Sequence, residues 1–90
     1  MRPWYVYLVL CEKDASLYCG VAVDVEARVK KHQAGKGSKY VRSRLPCRLL
    51  MQSGPLTKQE AFRGEALIKT LPRLQKLVVL SQLGQGCQLK

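Results

Sequence analysis

Apolar residues run almost without interruption from Trp4 to Cys11 (WYVYLVLC). Aromatic, β-branched and aliphatic side chains in one unbroken stretch suit a strand covered on both faces. The polar stretch Glu12–Ser16 then reads as a turn, and Leu17–Ala22 as a second strand, so the two form a hairpin. Asp24 is a good helix N-cap, and Glu26 favours the positive end of the first turn. The helix they open is predicted to reach about Ala34, where Gly35, Lys36 and Gly37 end it and begin a basic loop to Pro46. Arg48–Gln52 (RLLMQ) is a third short strand, stopped by Gly54 and Pro55. Thr57-Lys58-Gln59-Glu60 spells a capping box and opens a helix expected to end at about Leu71, just before Pro72. Arg73–Leu80 is a last short helix, with Leu74, Leu77 and Val78 expected on its inner face. Residues from Gly84 to Lys90 are expected to fray.

The order is β-β-α-β-α-α, with no internal repeat and no low-complexity segment. It predicts an α/β (α+β) domain in which helices flank a three-stranded sheet. The 90 residues fit one domain, taken as 1–83, followed by a flexible tail at 84–90. No stretch of about 18 apolar residues occurs, so no transmembrane helix is expected. The first residues do not resemble a signal peptide, and a cytoplasmic location is the default. Cys11, Cys19, Cys47 and Cys87 make no CxxC pair, so free thiols acting as small hydrophobes are expected.

Charge changes the picture. The formal net charge is +10, and between Glu26 and Glu60 there is no acidic residue. That interval holds Arg28, Lys30, Lys31, Lys36, Lys39, Arg42, Arg44, Arg48 and Lys58. Solvated faces usually mix both signs, so the one-sided charge points to a polyanion, bound largely through its phosphates. A membrane surface is disfavoured, because the interval contains no basic amphipathic helix with bulky exposed apolar residues.

Several residues sit awkwardly in a plain core. At 100° per residue, Val25 and Val29 form the inner stripe of the first helix, and Arg28 and His32 fall beside it, one turn apart. Arginine there needs an anion, or it snorkels. On the next helix Glu65 falls between Ala61 and Ile68, where a carboxylate needs a basic side chain or a metal ion. Tyr7 and Tyr18 share a sheet face if Tyr7 pairs with Gly20, which would leave a space beside the Tyr7 ring. Each feature has a plain structural explanation. Together they put two phenols, a guanidinium, an imidazole and a carboxylate near one sheet face, inside a basic surface.

With these residues in view, the sequence resembles the GIY-YIG nuclease superfamily. The first motif appears as Tyr5-Val6-Tyr7 and the second as Tyr18-Cys19-Gly20, followed by Arg28, His32 and Glu65. His32-Gln33-Ala34-Gly35-Lys36-Gly37-Ser38-Lys39-Tyr40 and Arg42-Ser43-Arg44-Leu45-Pro46 are similar to stretches of its small standalone bacterial subfamily. Two positions depart from the motifs: Tyr5 replaces the first glycine, and Cys19 the central aliphatic of the second triplet. Neither removes a chemically active group.

The resemblance implies a metal-dependent endonuclease that hydrolyses DNA phosphodiester bonds, with branched or damaged DNA in repair or recombination as substrate. Tyr7 would act as general base, directly or through Tyr18, although a phenol near pKa 10 needs nearby positive charge to do so. Arg28 would steady charge on the phosphoryl oxygens, and Glu65 would hold one Mg²⁺ or Mn²⁺. His32 would handle a proton or contact phosphate. Lys31, Lys36, Lys39, Arg42, Arg44 and Lys69 are the candidate nucleic-acid contacts, with DNA favoured over RNA and a separate targeting protein as a further expected partner. Two other readings compete: a non-catalytic nucleic-acid-binding module on the same scaffold, and a basic protein that docks on RNA. The intact set of Tyr7, Tyr18, Arg28 and Glu65 favours the enzyme, since a pure binder needs no lone carboxylate there.

Overall fold

The computed structural model describes residues 2–85. β1 (Tyr5–Cys11) and β2 (Ser16–Ala22) form the expected hairpin, and β3 (Cys47–Gln52) pairs antiparallel with the other side of β1, giving the order β2-β1-β3. Helices α1 (Val25–Gln33), α2 (Lys39–Arg42), α3 (Lys58–Lys69) and α4 (Arg73–Gln82) complete the fold. The bounds match those read from the sequence to within two residues, and α2 is an addition inside the basic loop.

The unbroken apolar run of β1 has a direct cause: it is the central strand and both of its faces are buried. Val6 and Leu8 enter a core with Ala61 and Ile68 of α3 and Leu80 of α4. Tyr7, Val9 and Cys11 enter a second core with Val25 and Val29 of α1 and Val41 of α2. The register slips between Leu8–Met51 and Val9–Leu49, leaving Leu50 as a bulge. Beyond β3, Ser53 keeps β1 satisfied: the Val6 amide donates to Ser53 Oγ at 3.0 Å, and the Ser53 amide donates to Val6 O at 2.8 Å.

Local signals act as expected at the helix starts. Asp24 accepts from the Ala27 amide at 3.1 Å. The capping box is complete: Glu60 N donates to Thr57 Oγ1 at 3.1 Å, and Thr57 N to Glu60 Oε1 at 2.9 Å.

One expectation is corrected in part. Leu74 and Val78 are 74% and 56% exposed, so they do not form the inner face of α4; Leu77 packs inward as expected, together with Val79 and Leu80. Lys76 donates through Nζ to Ile68 O at 2.8 Å, near the C-terminal end of α3. Gly84 lies in a 3₁₀ turn, Leu83–Gln85, where the Gly54 amide donates to Leu83 O at 3.0 Å. Its φ of 64° and the Gly54 backbone, 2.8 Å from where a Cβ would stand, leave room only for glycine. Residues 86–90 of the expected tail, including Cys87, lie outside the described residues. Cys11, Cys19 and Cys47 are buried free thiols, as expected. Among the described residues, no helix is long and apolar enough to cross a membrane.

Candidate active site

Tyr7 does pair with Gly20 across the hairpin. The space beside Gly20 is not empty, however, because the Tyr7 ring itself lies in it. A Cβ on Gly20 would stand 2.6 Å from Tyr7 Cζ, so the glycine is the seat of the phenol. The Tyr7 hydroxyl meets His32 Nε2 at 2.9 Å. His32 is 1% exposed, and Gly37 closes over its far edge, where a Cβ would come within 2.8 Å of Cε1. This ring is therefore inside the α1 core stripe rather than beside it, while Arg28 is exposed.

Burial, reinforced by the Arg28 charge, holds the His32 imidazole below the ordinary histidine pKa, so it is neutral. A neutral imidazole carries one donor and one acceptor nitrogen. With its hydrogen on Nδ1, which has no partner, Nε2 is free to accept from the phenol. The Tyr7 hydroxyl is pushed up to about 12, first by burial and then by Tyr18, and the opposing Arg28 charge does not offset them. Arg28 therefore supplies the help that the sequence called for, but too little to form a phenolate.

Tyr18 extends the cluster. Its ring stands edge-on to His32, with centroids 5.2 Å apart, and lies 5.9 Å from Tyr40. The Arg44 guanidinium caps Tyr40 at 3.8 Å from the ring centroid. Tyr40 is not among the site residues expected from the sequence. Its signal is an aromatic among cations (Lys39-Tyr40-Val41-Arg42), where Ser38 caps a turn by accepting from Tyr40 N at 3.1 Å.

Glu65 does not share this face, which corrects the expectation of a single-faced site. α3 covers the Val6 side of the sheet, and Tyr7 is on the other side. Tyr18 and Cys19 are consecutive, so their side chains leave β2 in opposite directions. The Cys19 thiol is pushed up to about 12, mainly by burial and then by the Glu65 charge, so Glu65 stands on its side. β2 is an edge strand of the sheet, with Tyr18 on one of its faces and Cys19 on the other. The Glu65 side chain is 19% exposed, and it pairs with Lys69 Nζ at 3.3 Å. Among the described residues, no group of three or more His, Cys, Asp or Glu could enclose a metal. A single hard carboxylate still fits Mg²⁺, which keeps most of its waters and takes its remaining oxygens from phosphate.

The pattern of the GIY-YIG catalytic domain matches residues 3–77. The chain belongs to the GIY-YIG family. It is 48% identical over 82 residues to a UPF0213 protein of Streptococcus sanguinis, covering 91% of this chain and 93% of that one. A UPF0213 protein of Staphylococcus haemolyticus is also 48% identical, with 91% and 99% covered. The solution NMR structure of a UPF0213 protein from Bacillus halodurans has a TM-score of 0.52 at 43% identity, covering 90% of this chain and 85% of that one. The same three-stranded antiparallel α+β architecture is thus found in a relative.

Around this GIY-YIG scaffold the expected nucleic-acid contacts divide. Lys31 lines a groove of about 420 Å³ with Arg28 and Trp4. Lys36, Lys39 and Arg42 are exposed on the basic loop. Arg44 is committed internally: Nε donates to Asp14 Oδ2 at 2.9 Å and Nη1 to Tyr40 O at 3.0 Å, so it braces the loop. Lys69 is drawn to Glu65.

Proposed function

We propose that this GIY-YIG protein is a divalent-metal-dependent endonuclease that hydrolyses DNA phosphodiester bonds, acting in the cytoplasm on branched or damaged DNA in repair or recombination. The observation that carries the reading is the buried Tyr7–His32 hydrogen bond of 2.9 Å beside the exposed Arg28. A neutral imidazole held against a phenol satisfies two buried polar groups, and the same contact suits the movement of a proton.

The phenol acts as a relay rather than a pre-formed base. Tyr7 takes a proton from the attacking water as its own passes to His32 Nε2, which ends as imidazolium. Arg28 binds the phosphoryl oxygens and stabilises the charge that develops on them. Glu65 is the residue that would hold Mg²⁺ or Mn²⁺, with Lys69 released to phosphate. The ion, when bound, polarises the phosphate and stabilises the leaving oxygen. Lys31, Lys36, Lys39 and Arg42 supply affinity for the backbone irrespective of sequence.

The test is nicking of supercoiled plasmid and branched DNA with Mg²⁺ or Mn²⁺. Tyr7→Phe should reduce the rate by about 10²–10⁴, and Arg28→Ala by about 10²–10³. Glu65→Ala should abolish the response to metal. One observation favours a second reading, a non-catalytic nucleic-acid-binding module: the Tyr7 hydroxyl is pushed up to about 12, so no phenolate is present at neutral pH. DNA binding by the wild type with no cleavage under any metal would establish that reading and overturn the nuclease.

A further inference from the structure

We propose that Trp4 and Phe62 form a stacking platform for unpaired bases, holding a single-stranded nucleic-acid segment that leads into the groove beside Arg28. The proposal rests on nucleic acid being the partner, and it names the form of nucleic acid that this face selects.

Trp4 is the single tryptophan of the chain and lies just before β1, tied to Leu56 by amide-to-carbonyl bonds of 2.8 and 2.9 Å. The Phe62 ring lies 5.6 Å from it at 49°, and Phe62 is 44% exposed on α3. An aromatic on the outer face of a helix, set beside a half-buried tryptophan, adds little to the core. Lys58 Nζ stands 5.6 Å from the Trp4 ring centroid, a cation over the same π surface.

Position gives the platform its direction. Trp4 is a shared wall. On one side it borders a hollow of about 620 Å³ with Arg2 and Lys58. On the other it borders the groove that holds Arg28 and Lys31. Arg63 lies beside Phe62 on the same outer surface. The two nearby carboxylates are occupied at helix starts: Glu60 accepts from Thr57 N, and Asp24 from Ala27 N. Cations bracketing two tilted rings complement a chain of flat bases joined by phosphates. A paired duplex keeps its bases stacked on one another and offers the rings nothing, so the surface selects flaps, branches and unpaired ends.

Because Trp4 is the lone tryptophan, its fluorescence reports stacking directly. The full protein, without divalent metal, is titrated with a deoxythymidine oligonucleotide and with a blunt duplex of equal phosphate count, following Trp4 emission and the anisotropy of labelled DNA. The single strand should quench Trp4 saturably and the duplex should not. Phe62→Ala, a change on the exposed helix face, should weaken single-strand binding about tenfold, the effect of losing one stacked base. It should leave duplex binding unchanged, and Phe62→Tyr should restore single-strand binding. Single-strand binding without quenching, or equal binding by wild type and Phe62→Ala, overturns the platform. The result is independent of cleavage: a protein that quenches but never nicks plasmid keeps the platform and loses the nuclease, and one that nicks without quenching does the reverse.

Discussion

At Tyr7, burial outweighs charge. Arg28 is close enough to favour the phenolate, yet desolvation and Tyr18 push the hydroxyl up to about 12, and the proposed relay therefore passes the proton on to the neutral His32 behind it. His32 also couples the site to stability. Its folded pKa lies below the ordinary value of about 6.5, so below that pH the unfolded chain binds more protons than the folded one. This contribution to stability is therefore full above about pH 6.5 and is lost as pH falls toward the folded value. Urea unfolding between pH 8 and pH 5 should show that decline, and His32→Gln should flatten it. The sequence places His32 one turn from Arg28, but only the packing shows which of the two goes inside. Helical spacing gives a residue's angle to within a fraction of a turn, and here the edge of the stripe is where the imidazole and the guanidinium part.

Among the elements, those with a long period were legible and those without one were not. β1 declares itself through its unbroken apolar run, and α3 through its capping box. α2 has four residues, too few for any periodicity to register, and only Val41 marks its buried side. The face taken by Glu65 was hidden for a different reason. The sequence puts Glu65 on the inner side of α3, but which side of the sheet α3 covers is set by non-local packing, that of Ala61 and Ile68 against Val6 and Leu8. The hairpin adopts one of the registers that put Tyr7 and Tyr18 on one face, with Tyr7 opposite Gly20, and it gives an element-level prediction. Gly20→Ala would drive a methyl into the Tyr7 ring, so it should destabilise the fold by about 1–3 kcal/mol and lower nicking more than binding. Chemical denaturation read beside plasmid nicking checks both effects.

For the whole molecule, the net charge of +10 is an instruction about partners. Log affinity for duplex DNA should fall linearly with log salt concentration. Lys36→Gln and Lys39→Gln should each reduce that slope by about 1 if each meets one phosphate. Arg44→Ala should leave the slope nearly unchanged and loosen the loop instead, since its guanidinium is engaged by Asp14 and the Tyr40 carbonyl. Composition alone cannot make that distinction, because it counts Arg44 with the free cations. At this scale too, the carboxylate on one side of β2 and the phenol and guanidinium on the other serve one reaction only if a single ion at the strand edge lies within reach of both. Mn²⁺ titrated into ¹⁵N-labelled protein tests this directly, because the ion broadens amide signals according to distance. Broadening should centre on Glu65, spread across Cys19 and Tyr18 to Arg28, and vanish in Glu65→Ala. Broadening centred elsewhere, or unchanged in Glu65→Ala, would contradict it.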